Sequence, residues 1–223
     1  GGYWPAFNTN EAALDNLMVA IERAGLVPGE QVSISLDIAA SEFGAAGRYR
    51  LGLEKRELDS DALCELLIGW IERYPIVSIE DPLGEDDETG LQKFTAAVGG
   101  RVQIIGDDYL VTNAKRVEDA AACGACNALL CKPNQAGTLS EAKAAADAAT
   151  KAGFGVIVSA RSGETEDATI VHLAVGWSAP QLKVGSFARS ERMVKWNEGL
   201  RVLETLPGGG RLPSRSLFPW NKD

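Results

Sequence analysis

Asp37, Glu80 and Asp107 each close a short apolar run: Ser-Ile-Ser-Leu, Val-Ser-Ile and Ile-Ile-Gly. Three carboxylates delivered by consecutive runs suit a hard divalent cation, most naturally Mg²⁺, with water or substrate completing its octahedron. Without a cation, three such anions would repel one another. The next run, Ala-Leu-Leu-Cys, delivers Lys132; the fifth delivers Arg161 and Ser162, and the sixth delivers Lys183. Cations opposite a metal make a pocket for a compact, highly charged anion such as a phosphorylated carboxylate. A lysine crowded by a metal and a second lysine can act as general base near neutral pH. The metal would stabilise the enolate-like charge that forms when a proton leaves carbon next to a carboxylate.

Positioning these residues requires that the runs be strands. They are Val32–Leu36, Ile76–Ile79, Val102–Ile105, Ala128–Cys131, Gly155–Ser159 and Gln181–Lys183. Amphipathic periodicity predicts a helix over Glu11–Ala24 ahead of the first run. Behind the six runs it predicts Asp59–Arg73, Asp86–Val98, Asn113–Ala122, Ser140–Ala152, Glu166–Gly176 and Ser190–Leu206. Thr112 or Asn113, Ser140 and Ser190 are the expected N-caps. Buried strands alternating with helices mean an α/β protein with a parallel sheet, either doubly wound or a TIM-type β/α barrel with about six β-α units. No G-x-G-x-x-G follows a strand, which weakens the dinucleotide-binding version. Polar and charged residues at every strand end favour the barrel, where those ends share one face.

Composition narrows the partners. Twenty-two Lys+Arg against 31 Asp+Glu leave a net charge of −9, which argues against nucleic acid and anionic membrane. No run is long and apolar enough to span a membrane, so no membrane span is expected. Four cysteines are too few for a disulfide scaffold, and the reading is a reduced, cytoplasmic compartment. Cys123 and Cys126 form a lone C-x-x-C, expected to be small residues where a helix meets a strand. Asp81, followed by Pro82, is read as shaping a turn. Asp86, Asp87 and Glu88 are read as favouring a helix N-terminus. His172 is read as helix packing.

Together these residues resemble enolase, the phosphopyruvate hydratase family. The resemblance is carried by Leu-Asp-Ile-Ala-Ala-Ser-Glu-Phe at 36–43, Ser-Ile-Glu-Asp-Pro at 78–82 and Gly-Asp-Asp at 106–108. It continues through Lys-Pro-Asn-Gln-Ala-Gly at 132–137, Arg-Ser-Gly-Glu-Thr-Glu-Asp at 161–167, Leu-Lys at 182–183 and Arg-Ser-Glu-Arg at 189–192. It implies a Mg²⁺-dependent lyase that dehydrates 2-phosphoglycerate to phosphoenolpyruvate. Asp37, Glu80 and Asp107 would be the ligands of Mg²⁺, and Lys132 the base that takes the C2 proton. Lys183 would bind the substrate carboxylate, and Arg161 and Ser162 its phosphate. A second Mg²⁺ bridging substrate carboxylate and phosphate is also implied.

The resemblance covers 1–206 as an enolase-like barrel domain and leaves 207–223 as an atypical tail. The family generally carries His before the Arg-Ser pair where this chain has Ala160, and Thr-Gly after the last Lys where this chain has Val184-Gly185. Gly1-Gly2 is similar to the end of a family Asp-Glu-Gly-Gly segment whose Glu serves the acid step. On that reading an N-terminal domain and the first two barrel strands would lie upstream. The chain alone would then have little activity, and an unpaired sheet edge would favour a homo-oligomer. The alternative to a working lyase is a silent enolase-like domain acting as a binding or assembly module.

Overall fold

A computed structural model describes residues 3–221; the Gly1-Gly2 pair lies outside them. The elements in chain order are α1 (Asn10–Arg23), β1 (Ile34–Asp37), β2 (Gly44–Ala45), β3 (Arg48–Leu51), β4 (Arg56–Asp59), α2 (Ser60–Arg73) and β5 (Ile76–Glu80). They continue with α3 (Glu88–Val98), β6 (Gln103–Gly106), α4 (Ala114–Cys123), β7 (Ala128–Cys131), α5 (Pro133–Ala136) and α6 (Leu139–Lys151). The last are β8 (Gly155–Ser159), α7 (Thr169–Gly176), β9 (Gln181–Lys183) and α8 (Ser190–Thr205). Each predicted strand and helix is present, with ends displaced by a few residues at most. The alternation is that of an α/β protein. No helix among the described residues is long and apolar enough to cross a membrane.

The chain divides into two compact units. The first holds Pro5–Tyr109, Ala122–Asn127 and Phe218–Asp223. In it β1, β5 and β6 run parallel and adjacent, Asp37 opposite Glu80 and Glu80 opposite Ile105. Its core comprises Leu63 and Leu67 of α2, Leu91 and Phe94 of α3, and Ile79 and Ile104 of the strands, all fully buried. A small antiparallel sheet, β2-β3-β4, was not expected from the sequence. Its strands have only two to four residues, too few for an alternating pattern to stand out. Tyr49 anchors this sheet: it is buried, donates to Asp87 Oδ2 at 2.8 Å and accepts the Gly84 N–H at 2.9 Å.

The second unit holds Gly1–Trp4, Leu110–Ala121 and Ala128–Leu217. Here β7, β8 and β9 run parallel, with Cys131 opposite Val158 and Ser159 opposite Lys183. Every residue of β7 is buried, as expected of a parallel strand covered on both faces. The buried residues of α6 are all alanine: Ala142, Ala145, Ala146 and Ala149. Small side chains let that helix lie close to the strands it covers.

One of the expected caps is settled between its two candidates, and two need correction. Asn113 Oδ1, not the Thr112 hydroxyl, accepts the Arg116 N–H at the start of α4. Thr138, two residues before Ser140, caps α6; it accepts the Glu141 N–H and donates back to Glu141 Oε2, a reciprocal capping box. Ser190 is the first helical residue of α8, and Arg189 at φ 68° occupies the cap with no side-chain bond. The expected cap role of the acidic 86–88 cluster holds in detail, because Asp87 Oδ1 accepts the Gly90 N–H. His172 is a surface residue, 3.0 Å from Glu198. None of the four cysteines forms a disulfide.

Candidate active site

In the first unit, Asp37 and Glu80 end neighbouring parallel strands as direct partners. Asp107 stands one residue beyond the end of β6. Glu80 and Asp107 are buried and Asp37 is exposed. The three predicted ligands thus occupy the C-terminal ends of three adjacent strands. The tightest acidic group is a different one. Asp81, Asp107 and Asp108 each bring a carboxylate oxygen within 4.8 Å of the other two. Only Asp107 belongs to both sets.

Asp81 explains how the second set assembles. It sits in the left-handed region at φ 40°, as expected for a sharp turn. Its two oxygens accept the backbone N–H groups of Asp107 and Asp108, at 2.9 and 2.8 Å. The turn after β5 therefore holds the turn after β6. Burial pushes the Asp81 carboxyl up to about 7; the two amide donors pull the other way, and the charges of Asp107 and Asp108 raise it further. Both candidate sets offer only carboxylate oxygen, the donor chemistry that Mg²⁺ prefers. The residues present fit that ion.

A pH dependence follows from Asp81. Its folded-state pKa lies above the ordinary 3.8, so the folded protein holds a proton that the unfolded chain releases. The stability this contributes is complete below about pH 4 and is lost as the pH rises through about 7. In a chelator, the melting temperature is expected to fall across that window by more in wild type than in Asp81→Asn. Millimolar Mg²⁺ should flatten the slope, because a cation favours the ionised form. Parallel slopes in the two proteins would remove Asp81 as its source.

The cationic residues lie in the second unit. Lys132 follows β7 and precedes Pro133, the first residue of α5. Its backbone N–H donates to Thr112 Oγ1 at 2.9 Å. Thr112 in turn donates to Gln135 Oε1 at 2.9 Å, and its own backbone is left-handed at φ 52°. The Thr112 hydroxyl, one of the two cap candidates for α4, is instead committed to the segment that carries Lys132. Strained non-glycine backbone is costly, and here it sits beside a candidate catalytic residue. Lys183 ends β9, and its carbonyl accepts the Ala160 N–H at 2.9 Å. Arg161 and Ser162 follow β8, with both side chains exposed.

Sequence reasoning missed the groups beneath that loop. Glu164 Oε1 accepts the Arg161 N–H at 2.8 Å, and Glu164 Oε2 lies 2.7 Å from Lys195 Nζ. The Lys195 and Arg192 side chains are buried in α8. The Arg-Ser-Glu-Arg run was a usable signal for Arg192. Nothing local marked Lys195.

Ala160 stands where the resemblance implies a His. It is 7 % exposed and belongs to an apolar cluster with Val158, Ile170, Val171 and Ala174. An imidazole there would have to displace packed side chains, so Ala160→His is expected to cost about 1–3 kcal/mol of stability. Chemical denaturation checks this; an unchanged midpoint would mean that the new ring turns out of the cluster.

Comparison with known proteins bears on the family. Residues 1–216 match the family model described as "Enolase, C-terminal TIM barrel domain". A curated relative, "Enolase 1" of Desulfitobacterium hafniense (strain Y51), is 47% identical over 221 residues, which is 98% of this chain and 51% of the relative. The chain thus spans about half the length of the curated relative it matches. Six parallel βα strands and a family match across nearly the whole chain place this protein in the enolase family, as its C-terminal TIM-barrel domain.

Proposed function

We propose that this chain carries the metal-binding and proton-abstracting residues of an enolase-type lyase, which converts 2-phosphoglycerate to phosphoenolpyruvate in the glycolytic sequence. The support is the family match together with the retention, at successive strand ends, of Asp37, Glu80, Asp107, Lys132, Arg161, Ser162 and Lys183. Lys132 Nζ accepts the proton from C2 of the substrate. Lys183 holds the substrate carboxylate, and Arg161 with Ser162 holds the phosphate. Asp37, Glu80 and Asp107 would hold Mg²⁺, which when bound would supply stabilisation of the charge that builds on the substrate carboxylate. The C3 hydroxyl departs as water with a proton from an acid, the role the family gives to a Glu preceding the Gly-Gly segment. A cytoplasmic location and a homo-oligomeric state belong to the same reading, as does the division into a 1–206 domain and a 207–223 tail.

The burial of Ala160 in an apolar cluster favours a second reading, a module that binds the substrate class without turning it over. One experiment separates the two. The full-length protein is incubated with 2-phosphoglycerate and Mg²⁺ in deuterated water, and C2 proton exchange and phosphoenolpyruvate are followed by NMR. Exchange with product identifies the lyase. Substrate binding without exchange identifies the module.

A further inference from the structure

We propose that Arg192 is a positioning residue that fixes the spacing between the Arg161–Ser162 loop and the Lys183–Gly185 loop. The inference rests on the reading of those loops as the anion-binding ends of the site. Arg192 comes from the first turns of α8 and is 8 % exposed. Its Nη1 donates to the Arg161 carbonyl at 3.0 Å and to the Val184 carbonyl at 2.8 Å. Its Nη2 donates to the Ser162 carbonyl at 2.8 Å. One planar, charged fork therefore bridges the segment after β8 and the segment after β9. Gly185, beside the guanidinium, takes φ 112°, a backbone conformation that favours glycine.

The exposed Arg161 and Ser162 side chains have long-range freedom only if their backbone is loose. Here it is not. Two carbonyls of that backbone are held by Arg192, and the Arg161 N–H is held by Glu164. Glu164 is fixed in turn by the buried Lys195, whose Nζ also donates to the Thr165 and Glu191 carbonyls, both at 2.8 Å. In a trans peptide C=O and N–H point opposite ways. Holding the carbonyls of Arg161 and Ser162 on the guanidinium turns the N–H groups of Ser162 and Gly163 away from it. Site precision depends on such supporting contacts, because a loop left free samples geometries that bind nothing. Lysine does not reproduce this fork, since its single nitrogen cannot occupy the separate Nη1 and Nη2 positions that meet the three carbonyls.

The test measures inorganic phosphate binding by calorimetric titration in wild type, Arg161→Ala, Arg192→Ala and Arg192→Lys, with amide hydrogen exchange across residues 160–165 and 183–186. Arg192→Ala is expected to weaken phosphate binding tenfold or more while the far-ultraviolet spectrum is kept. Methylguanidinium at millimolar concentration should restore most of that affinity, a recovery that a general loss of stability would not show. Arg192→Lys should show the same loss, and serves alone if the alanine variant does not fold. Faster exchange confined to the two loops should accompany the loss. If Arg161→Ala weakens phosphate binding and neither Arg192 variant does, Arg192 is not a positioning residue. If Arg161→Ala changes nothing, the phosphate reading of the loop is wrong. The exchange data then decide for Arg192: unchanged protection in both loops overturns the inference, and a loss confined to them upholds it.

Discussion

Replacing Lys132 by alanine is expected to reduce C2 proton exchange in the full-length protein by roughly 10²–10⁴-fold, the usual contribution of a positioned general base. The backbone that carries Lys132 is held from two sides, by the Thr112 hydroxyl on its N–H and by Pro133 opening α5 directly after it. That support does not depend on the lysine side chain, so the variant should fold normally. Its Mg²⁺ affinity should also stay within about twofold, since the three carboxylates come from other strands and Lys132 is not one of the ligands. Lys183→Ala should behave differently. A charge that acts on the substrate carboxylate before and during reaction changes KM and kcat together. Exchange followed by proton NMR in deuterated water reads both variants directly. Wild-type exchange in Lys132→Ala would remove Lys132 as the base.

Asp107→Asn is expected to weaken Mg²⁺ binding by about tenfold or more, because a hard cation loses one of its anionic oxygen ligands. Asp107 is the residue common to the strand-end set and to the tight Asp81–Asp107–Asp108 group. Its loss therefore tests whether a cation binds here at all. The neighbours then say which set holds it. Ligation by the strand-end set makes Glu80→Gln as damaging as Asp107→Asn, with Asp108→Asn much milder. Ligation by the compact group reverses that order. Asp81→Asn should weaken binding in either case, because Asp81 holds the backbone of Asp107 and Asp108 through both of its oxygens. Calorimetric titration of the four variants reads the order, and equal affinities throughout would place the metal elsewhere.

Much of this molecule is legible in its sequence. β7, β8 and β9 match their apolar runs residue for residue, and the helices α2 and α7 end where predicted. Both signals are local: a buried parallel strand is apolar throughout, and an amphipathic helix repeats every three to four residues. The order of the candidate residues at strand ends is local too, since each lies at the end of its run or within three residues of it. The hairpin sheet β2-β3-β4 escaped because its strands are too short to show a period. What tertiary structure alone decided is which side chains share a space. Asp81 looked like a turn residue, and folding brought its carboxylate onto the amide of Asp107, 26 positions further along the chain. Ala160 stood out in the sequence only as a departure from the family's His, and the fold packs it in an apolar cluster. Arg192 sits 31 residues beyond the Arg161 carbonyl it holds, and Lys195 is wholly buried against Glu164. No periodicity encodes such pairings. They exist because a buried charge must find partners, and only the packed chain determines which groups lie within reach.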